Sequence, residues 1–354
     1  MPLTNRSRLV LHAIDYRATK PGSFIACLQR LTEELSRRGI RSLVVAPQSS
    51  EEQPWAQAFA RRGVEVLRTH SYAEGSGIFK AHRPGIVHLH FSGYVAPLTL
   101  AAFSTHSRVI WHMHSAMVAP ASRLKQLQRM LKFRVMARRA NAVLAVSRPL
   151  RDQLVRLGTS PARTAVVQNG IDTQHFREPT REEKAAARTS LGIWEGERVL
   201  LFFGRDRHIK GADLLALALQ HIEDPPTVLC VDSPNDVVAL LSRRARVIST
   251  GVVQDVRPLH WAADLLAMPS RYEGAAALTL LEARATGLPA VVSAIPAFNE
   301  FSDSGVVVAD HLNARSFGAA LAMPRPRETM AERARFRISL DAWCGAVLQH
   351  YDLG

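Results

Sequence analysis

The chain of 354 residues has only three cysteines, Cys27, Cys230 and Cys344, far apart and in no pairing pattern. That excludes a disulfide framework and fits a reduced, cytoplasmic setting. Long hydrophobic runs are also missing. The longest apolar stretches, such as Val199–Phe203, are strand-sized, well short of the roughly 18 residues that span a bilayer. At the N-terminus a short apolar run, Leu9 to Leu11, is soon followed by Asp15 and Arg17, so a secretory h-region is not expected. Lysine is scarce, with 6 residues against 39 arginines. The net charge is still +14, which favours an acidic partner such as nucleotide phosphate or anionic lipid. No aromatic-basic motif of an RNA-binding sheet and no zinc-finger spacing occurs, so nucleic acid is set aside. No Gly-x-Gly-x-x-Gly follows the first apolar strand, which argues against a nicotinamide-dependent oxidoreductase.

What the chain does have is alternation. Hydrophobic residues make up 47% of it, enough for a full core, and the length suggests two domains. Arg8–Ile14 reads as a strand and Ser23–Arg38 as a helix, with Phe24, Leu28, Leu31 and Leu35 at helical spacing. Further strands are expected at Ser42–Ala46, Val64–Arg68, Ile86–His90, Val109–His114, Ala142–Val146 and Thr164–Val167. The polar run Phe176–Gly196 breaks the rhythm and reads as a passage between domains with a short helix. Strands resume at Arg198–Phe203, Thr227–Val231, Val247–Thr250, Leu265–Met268, Ala290–Val292 and Val306–Val308, and a closing helix is expected over Leu340–Tyr351. The fold class is therefore α/β: two Rossmann-like units, each a parallel sheet with helices on both faces. The expected boundaries are 1–172, completed by 340–354, and 173–339. Ligands of such sheets bind beyond the carboxyl ends of the strands, so the residues just after strands are the candidates.

Two clusters stand there. Gly204-Arg205-Asp206-Arg207-His208-Ile209-Lys210-Gly211 follows the first strand of the second unit. Arg205 in the strand-exit turn and Lys210 before the helix Ala212–Gln220 suit a diphosphate, since cations offset charge building on a leaving phosphate. A solvated basic loop is the plainer alternative. Pro269-Ser270-Arg271-Tyr272-Glu273 with Gly274, Ala275, Ala276 and Ala277 precedes the helix Leu278–Thr286. Small residues at a helix entry let phosphate approach backbone N–H groups. Glu282 in that helix could accept hydrogen bonds from two ribose hydroxyls, or be an ordinary surface glutamate.

Together these segments resemble glycosyltransferase family 4. The resemblance rests on Pro-Ser-Arg-Tyr-Glu-Gly at 269–274, Leu-Leu-Glu-Ala at 280–283 and Gly-Leu-Pro-Ala-Val-Val at 287–292. It also rests on Gly204-Arg205 with Lys210-Gly211, on Asn169-Gly170-Ile171-Asp172, and on the strand ends Val87–His90 and Trp111–His114. The resemblance implies a GT-B fold of two facing Rossmann-like domains, with a terminal helix crossing back to the first. It implies a retaining glycosyltransferase that uses a nucleotide diphosphate sugar, UDP- or GDP-linked, as donor substrate. It implies no cofactor and no metal, in keeping with the lack of an Asp-x-Asp pair. It leaves glycan, lipid-linked and small-molecule acceptors open, and implies envelope or exopolysaccharide synthesis only in that many relatives serve it. In matching positions Arg205 and Lys210 would bind the diphosphate, Gly274 to Ala277 would cradle it, and Glu282 would bind ribose. Glu273 and His114 would meet the transferred sugar. The loop ending at Gly22 would lie near donor phosphate or acceptor.

Three departures are visible. Eight residues separate Glu273 from Glu282, where the family has seven, which allows Glu273 to be displaced and keeps open a non-catalytic, nucleotide-binding or scaffolding relative. Asp232-Ser233-Pro234 stands where relatives often have glycines. Tyr16–Ser23 has the single glycine Gly22 where relatives often have two. His90, His112 and His114 raise the question of a metal, but His112 and His114 share one strand with no third ligand evident, so none is expected. Arg123–Arg139 carries seven basic residues, no acid, and the stripe Leu124, Leu127, Leu131 and Val135. It reads either as a helix packing that stripe on the core or as one lying on an anionic membrane at the inner face of the cytoplasmic membrane.

Overall fold

The computed structural model describes residues 8–15, 22–47, 53–69, 71–93, 96–114, 122–273, 277–302, 305–327 and 338–353. It has two compact units: Met1–Asp172 with Ile338–Gly354, and Thr173–Arg337.

The first unit is built on β1 (Leu9–Ile14), β2 (Arg41–Ala46), β3 (Glu65–Arg68), β4 (Ile86–His90), β5 (Arg108–Met113), β6 (Ala142–Ala145) and β7 (Thr164–Val166). Their order is β3-β2-β1-β4-β5-β6-β7, and every pair is parallel. All six residues of β1 and all five of β4 are buried, which is why these strands read as nearly unbroken apolar runs. The helix Gly22–Arg37 buries Phe24, Leu28, Leu31 and Leu35, the set expected from its period. The terminal helix Leu340–Leu348 packs on it, and Trp343, Cys344 and Val347 join Cys27, Leu31 and Leu35 in one core. This helix stops three residues before the expected Tyr351. Tyr351 instead turns inward, fully buried, with its hydroxyl 2.6 Å from His88 Nδ1. Gly170 explains why a glycine sits at the junction: a Cβ there would lie 2.8 Å from Trp343 Cβ and 3.0 Å from the Ser339 carbonyl oxygen.

The second unit holds β8 (Val199–Phe203), β9 (Thr227–Val231), β10 (Val247–Thr250), β11 (Leu265–Met268), β12 (Ala290–Ser293) and β13 (Val306–Ala309). Their order is β10-β9-β8-β11-β12-β13, again all parallel. The polar passage contains the helix Arg181–Ser190, started by a Thr180–Glu183 capping box. In both units strand order reverses beside the first strand, between β1 and β4 and between β8 and β11. Such switch points open a crevice for ligands beyond the strand ends.

One expectation is overturned. In the helix Arg123–Ala137 the apolar stripe does not pack on the core: Leu124, Leu127, Leu131 and Val135 are 54–66% exposed. Phe133 and Ala137 face inward instead, with the Phe133 ring 5.2 Å from that of Trp111. Among the described residues no helix is long and apolar enough to cross a membrane.

Candidate active site

The loop 204–211 leaves β8 and the loop 269–277 leaves β11, so the two sequence clusters emerge side by side at the switch point of the second sheet. They are tied together. The Arg271 backbone N–H donates to the Ile209 carbonyl at 3.0 Å. The Arg271 guanidinium forms a fork on Asp213, at 2.7 and 2.8 Å, and also reaches the His208 carbonyl. Gly211 makes the approach possible. Its φ is +71°, and a Cβ would fall 2.0 Å from the Pro269 carbonyl oxygen, so no other residue fits.

This bracing sets the cations. Lys210 Nζ donates to Glu273 Oε1 at 2.5 Å, and the same carboxylate oxygen accepts from the Ser270 hydroxyl at 2.8 Å. Glu273, despite the extra residue after it, thus lies against Lys210. Arg205 is held apart from this pair, donating through Nε (2.9 Å) and Nη2 (2.5 Å) to Asp232. Asp232 has a φ of +49°. This is the left-handed backbone that glycine takes most easily and that aspartate also tolerates, which explains how it replaces a family glycine. Asp232, Ser270 and Arg271 were not among the sequence candidates. The Asp232 substitution was the one sequence signal that could have pointed to a partner for Arg205.

Glu282 lies in the helix Leu278–Ala285, only 9% exposed, with Oε2 3.7 Å from His260 Nε2. Ala277 caps that helix without a side-chain hydrogen bond. Gly274, Ala275 and Ala276 lie outside the described residues. A cavity of about 20 Å³, room for one water, opens among Phe203, Lys210, Met268, Ser270 and Thr279. The loops can therefore present acceptor-paired cations to an anion whose oxygens would take over from carboxylates.

In the first unit Gly22, exposed and with φ +50°, opens its helix, and no atom lies within 4 Å of where a Cβ would stand. Residues 16–21 lie outside the described set. His114 follows β5, and its Nε2 lies 3.3 Å from His90 Nδ1. The ring stacks on Phe91 at 4.0 Å, and Asn169 stands beside its side chain. Burial, and next the nearby His112, hold its pKa well below the ordinary histidine value, against the pull of Asn169. His114 is therefore neutral and can act as a hydrogen-bonding dipole, not as a cation. The expectation that His112 and His114 lack a third ligand is corrected. His90 on β4 pairs in register with His112 on β5, and the donor atoms of all three lie within 4.8 Å of one another. The spacing of strands along the sequence cannot reveal that register. The cysteines are buried and free, and burial raises the Cys27 thiol to about 12 and that of Cys344 to about 11.

Two Rossmann-like sheets, each with its switch point, and a terminal helix returning to the first unit define a GT-B protein. Residues 26–175 match the model of Glycosyltransferase Family 4, and residues 197–323 match that of Glycosyl transferases group 1. The chain thus belongs to the family 4, group 1 glycosyltransferases. It is 29% identical over 300 residues to a D-inositol 3-phosphate glycosyltransferase of Jonesia denitrificans, covering 74% of this chain and 70% of that one. It is 29% identical over 256 residues to the lipopolysaccharide core biosynthesis mannosyltransferase LpsB of Rhizobium meliloti, covering 62% and 70%. Among solved structures, Anabaena HepE in complex with UDP-glucose has the same fold, with a TM-score of 0.71, 16% identity, and 96% and 98% of the two chains covered.

Proposed function

We propose that this glycosyltransferase moves a sugar from a nucleotide diphosphate sugar to a glycan, lipid-linked or small-molecule acceptor, with retention of configuration and without a donor-bound metal. The observation that carries this reading is the convergence of Lys210, Glu273 and Arg205 on loops at the β8/β11 switch point. Lys210 and Arg205 would turn from Glu273 and Asp232 to the diphosphate and offset the charge that grows on it as the glycosidic bond breaks. Backbone amides of Gly274 to Ala277 would complete the phosphate cradle. Glu282 would accept from ribose hydroxyls. Neutral His114 would hydrogen-bond a sugar hydroxyl, and Glu273, released from Lys210, would meet the same sugar. Gly22 would place its loop near donor phosphate or acceptor. HepE's bound UDP-glucose supports such a donor for this chain, and LpsB supports a role in envelope polysaccharide. Lys210→Ala should lower turnover by about 100-fold or more with an accepted donor. Near-normal turnover would refute the assignment.

We further propose that the helix Arg123–Ala137 rests on an anionic membrane surface. Its exposed Leu124, Leu127, Leu131 and Val135 and its acid-free basic flank support this. The lipid-linked acceptor would then be met at the inner face of the cytoplasmic membrane.

A further inference from the structure

Five imidazoles, His12, His88, His90, His112 and His114, are buried together on β1, β4 and β5 and just after β5. Their rings contact one another, with His88 and His90 centroids 3.9 Å apart and those of His112 and His114 4.2 Å apart. Ordinary core packing would be met by valine or leucine. Here, both nitrogens of His12 and of His112, Nε2 of His88 and Nε2 of His90 are buried with no hydrogen-bond partner among the described residues. Buried polar atoms without partners point to a missing ligand.

We propose that His90, His112 and His114 form a site for one zinc-class divalent cation. His112 and His114 stand two apart along the strand line and so share a face. His90 faces His112 from the neighbouring strand. Two nitrogens each about 2.0–2.1 Å from a tetrahedral zinc lie about 3.3–3.4 Å apart. His90 Nδ1 and His114 Nε2 are already 3.3 Å apart, the spacing that two ligands of one ion need, while the His112 ring, now stacked on His114, would rotate to bring a nitrogen to the ion. The hydrogen now shared by those rings moves to the outer nitrogen of whichever ring carries it. Three neutral imidazoles then remain and no proton is lost. Neutral imidazole is the ligating form, and Asn169 lies beside the His114 ring, where an outer-shell partner of a metal-bound histidine would stand. Three protein ligands leave a fourth position for water, and His114, 9% exposed, would ligate through Nε2 and keep its Nδ1–H for the sugar hydroxyl assigned to it. The deeper trio His12, His88 and His90 also brings its donor atoms within 4.8 Å. However, His88 Nδ1 is engaged by the Tyr351 hydroxyl, so the outer trio is the one assigned.

The test uses the full chain, free of any histidine tag, treated with chelator and titrated with Co²⁺ and then Zn²⁺. The expected result is one Co²⁺ per chain with the intense visible absorption of a four-coordinate ion, displaced by one Zn²⁺. Asn169→Ala should weaken binding by about 10-fold or more, and His114→Ala by more than that, while His12→Ala retains it. Absence of saturable one-to-one binding, or a weak six-coordinate Co²⁺ spectrum in the wild-type chain, would overturn the site even if ligand variants fail to fold. Loss of binding in His12→Ala with retention in His114→Ala would overturn the choice of residues.

Discussion

Asp232 and Glu273 hold, in the ligand-free protein, the two cations assigned to phosphate. The two pairs are not equivalent. The Arg205 side chain is 71% exposed, and an ion pair so open to water is worth about 0–1 kcal/mol. Asp232→Asn, which removes the charge but still tolerates the left-handed backbone, should therefore change nucleotide diphosphate affinity by no more than about fivefold, read by calorimetry, with the melting temperature nearly unchanged. Gly211 is the opposite case. Gly211→Ala must place a Cβ against the Pro269 carbonyl at a left-handed φ, and should destabilise the second unit by about 2–4 kcal/mol, measured by denaturant unfolding. The sequence showed Arg205, Lys210 and Glu273 as residues but not their partners, which come from strands and loops far along the chain. Asp213, which anchors Arg271, had no local signature at all.

At the scale of the element, the apolar runs locate the strands to within a residue or two, because parallel strands buried on both faces leave such runs between polar helices; most helices between them, such as Tyr72–His82 and Arg148–Leu157, carry no expected bounds. It could not say what a helix face meets. The stripe Leu124, Leu127, Leu131 and Val135 has core-like spacing, yet Phe133 and Ala137 make the inward contact. Replacing Leu127 and Leu131 with aspartate should abolish sedimentation with phosphatidylglycerol vesicles while leaving donor hydrolysis in solution intact. Unchanged sedimentation would remove the membrane role. Gly170→Ala, which drives a Cβ into Trp343 and the Ser339 carbonyl, should loosen the terminal helix and cost about 1–3 kcal/mol, visible as lost hydrogen-exchange protection at 340–348.

At the scale of the molecule, buried imidazoles make stability depend on acidity. Burial lowers the His12 pKa from 6.5 to about 3. Its folded-state pKa lies below the unfolded one, so the unfolded chain binds the extra proton, and stability rises with pH across this window. The contribution is complete above pH 6.5 and is lost as pH falls towards 3, at about 1.4 kcal/mol per pH unit. Chelator-treated protein should lose stability at least this steeply in urea unfolding between pH 6 and 4, since burial lowers His88, His90, His112 and His114 as well, and His12→Phe should reduce the slope by about 1.4 kcal/mol per pH unit. The two-unit plan was legible because the strand pattern restarts after residue 196. The imidazole cluster was not, since it depends on the register of β1, β4 and β5.

The return of residues 338–354 to the first unit also sets an order of events during synthesis. Cys27, Leu31 and Leu35 must wait for Trp343, Cys344 and Val347, and the whole of Thr173–Arg337 is translated in between. At about 5–20 residues per second the first-made sheet stays unsealed for roughly 8–30 seconds on the ribosome. The half that is born first is thus the half that matures last, and chaperone dependence should concentrate there.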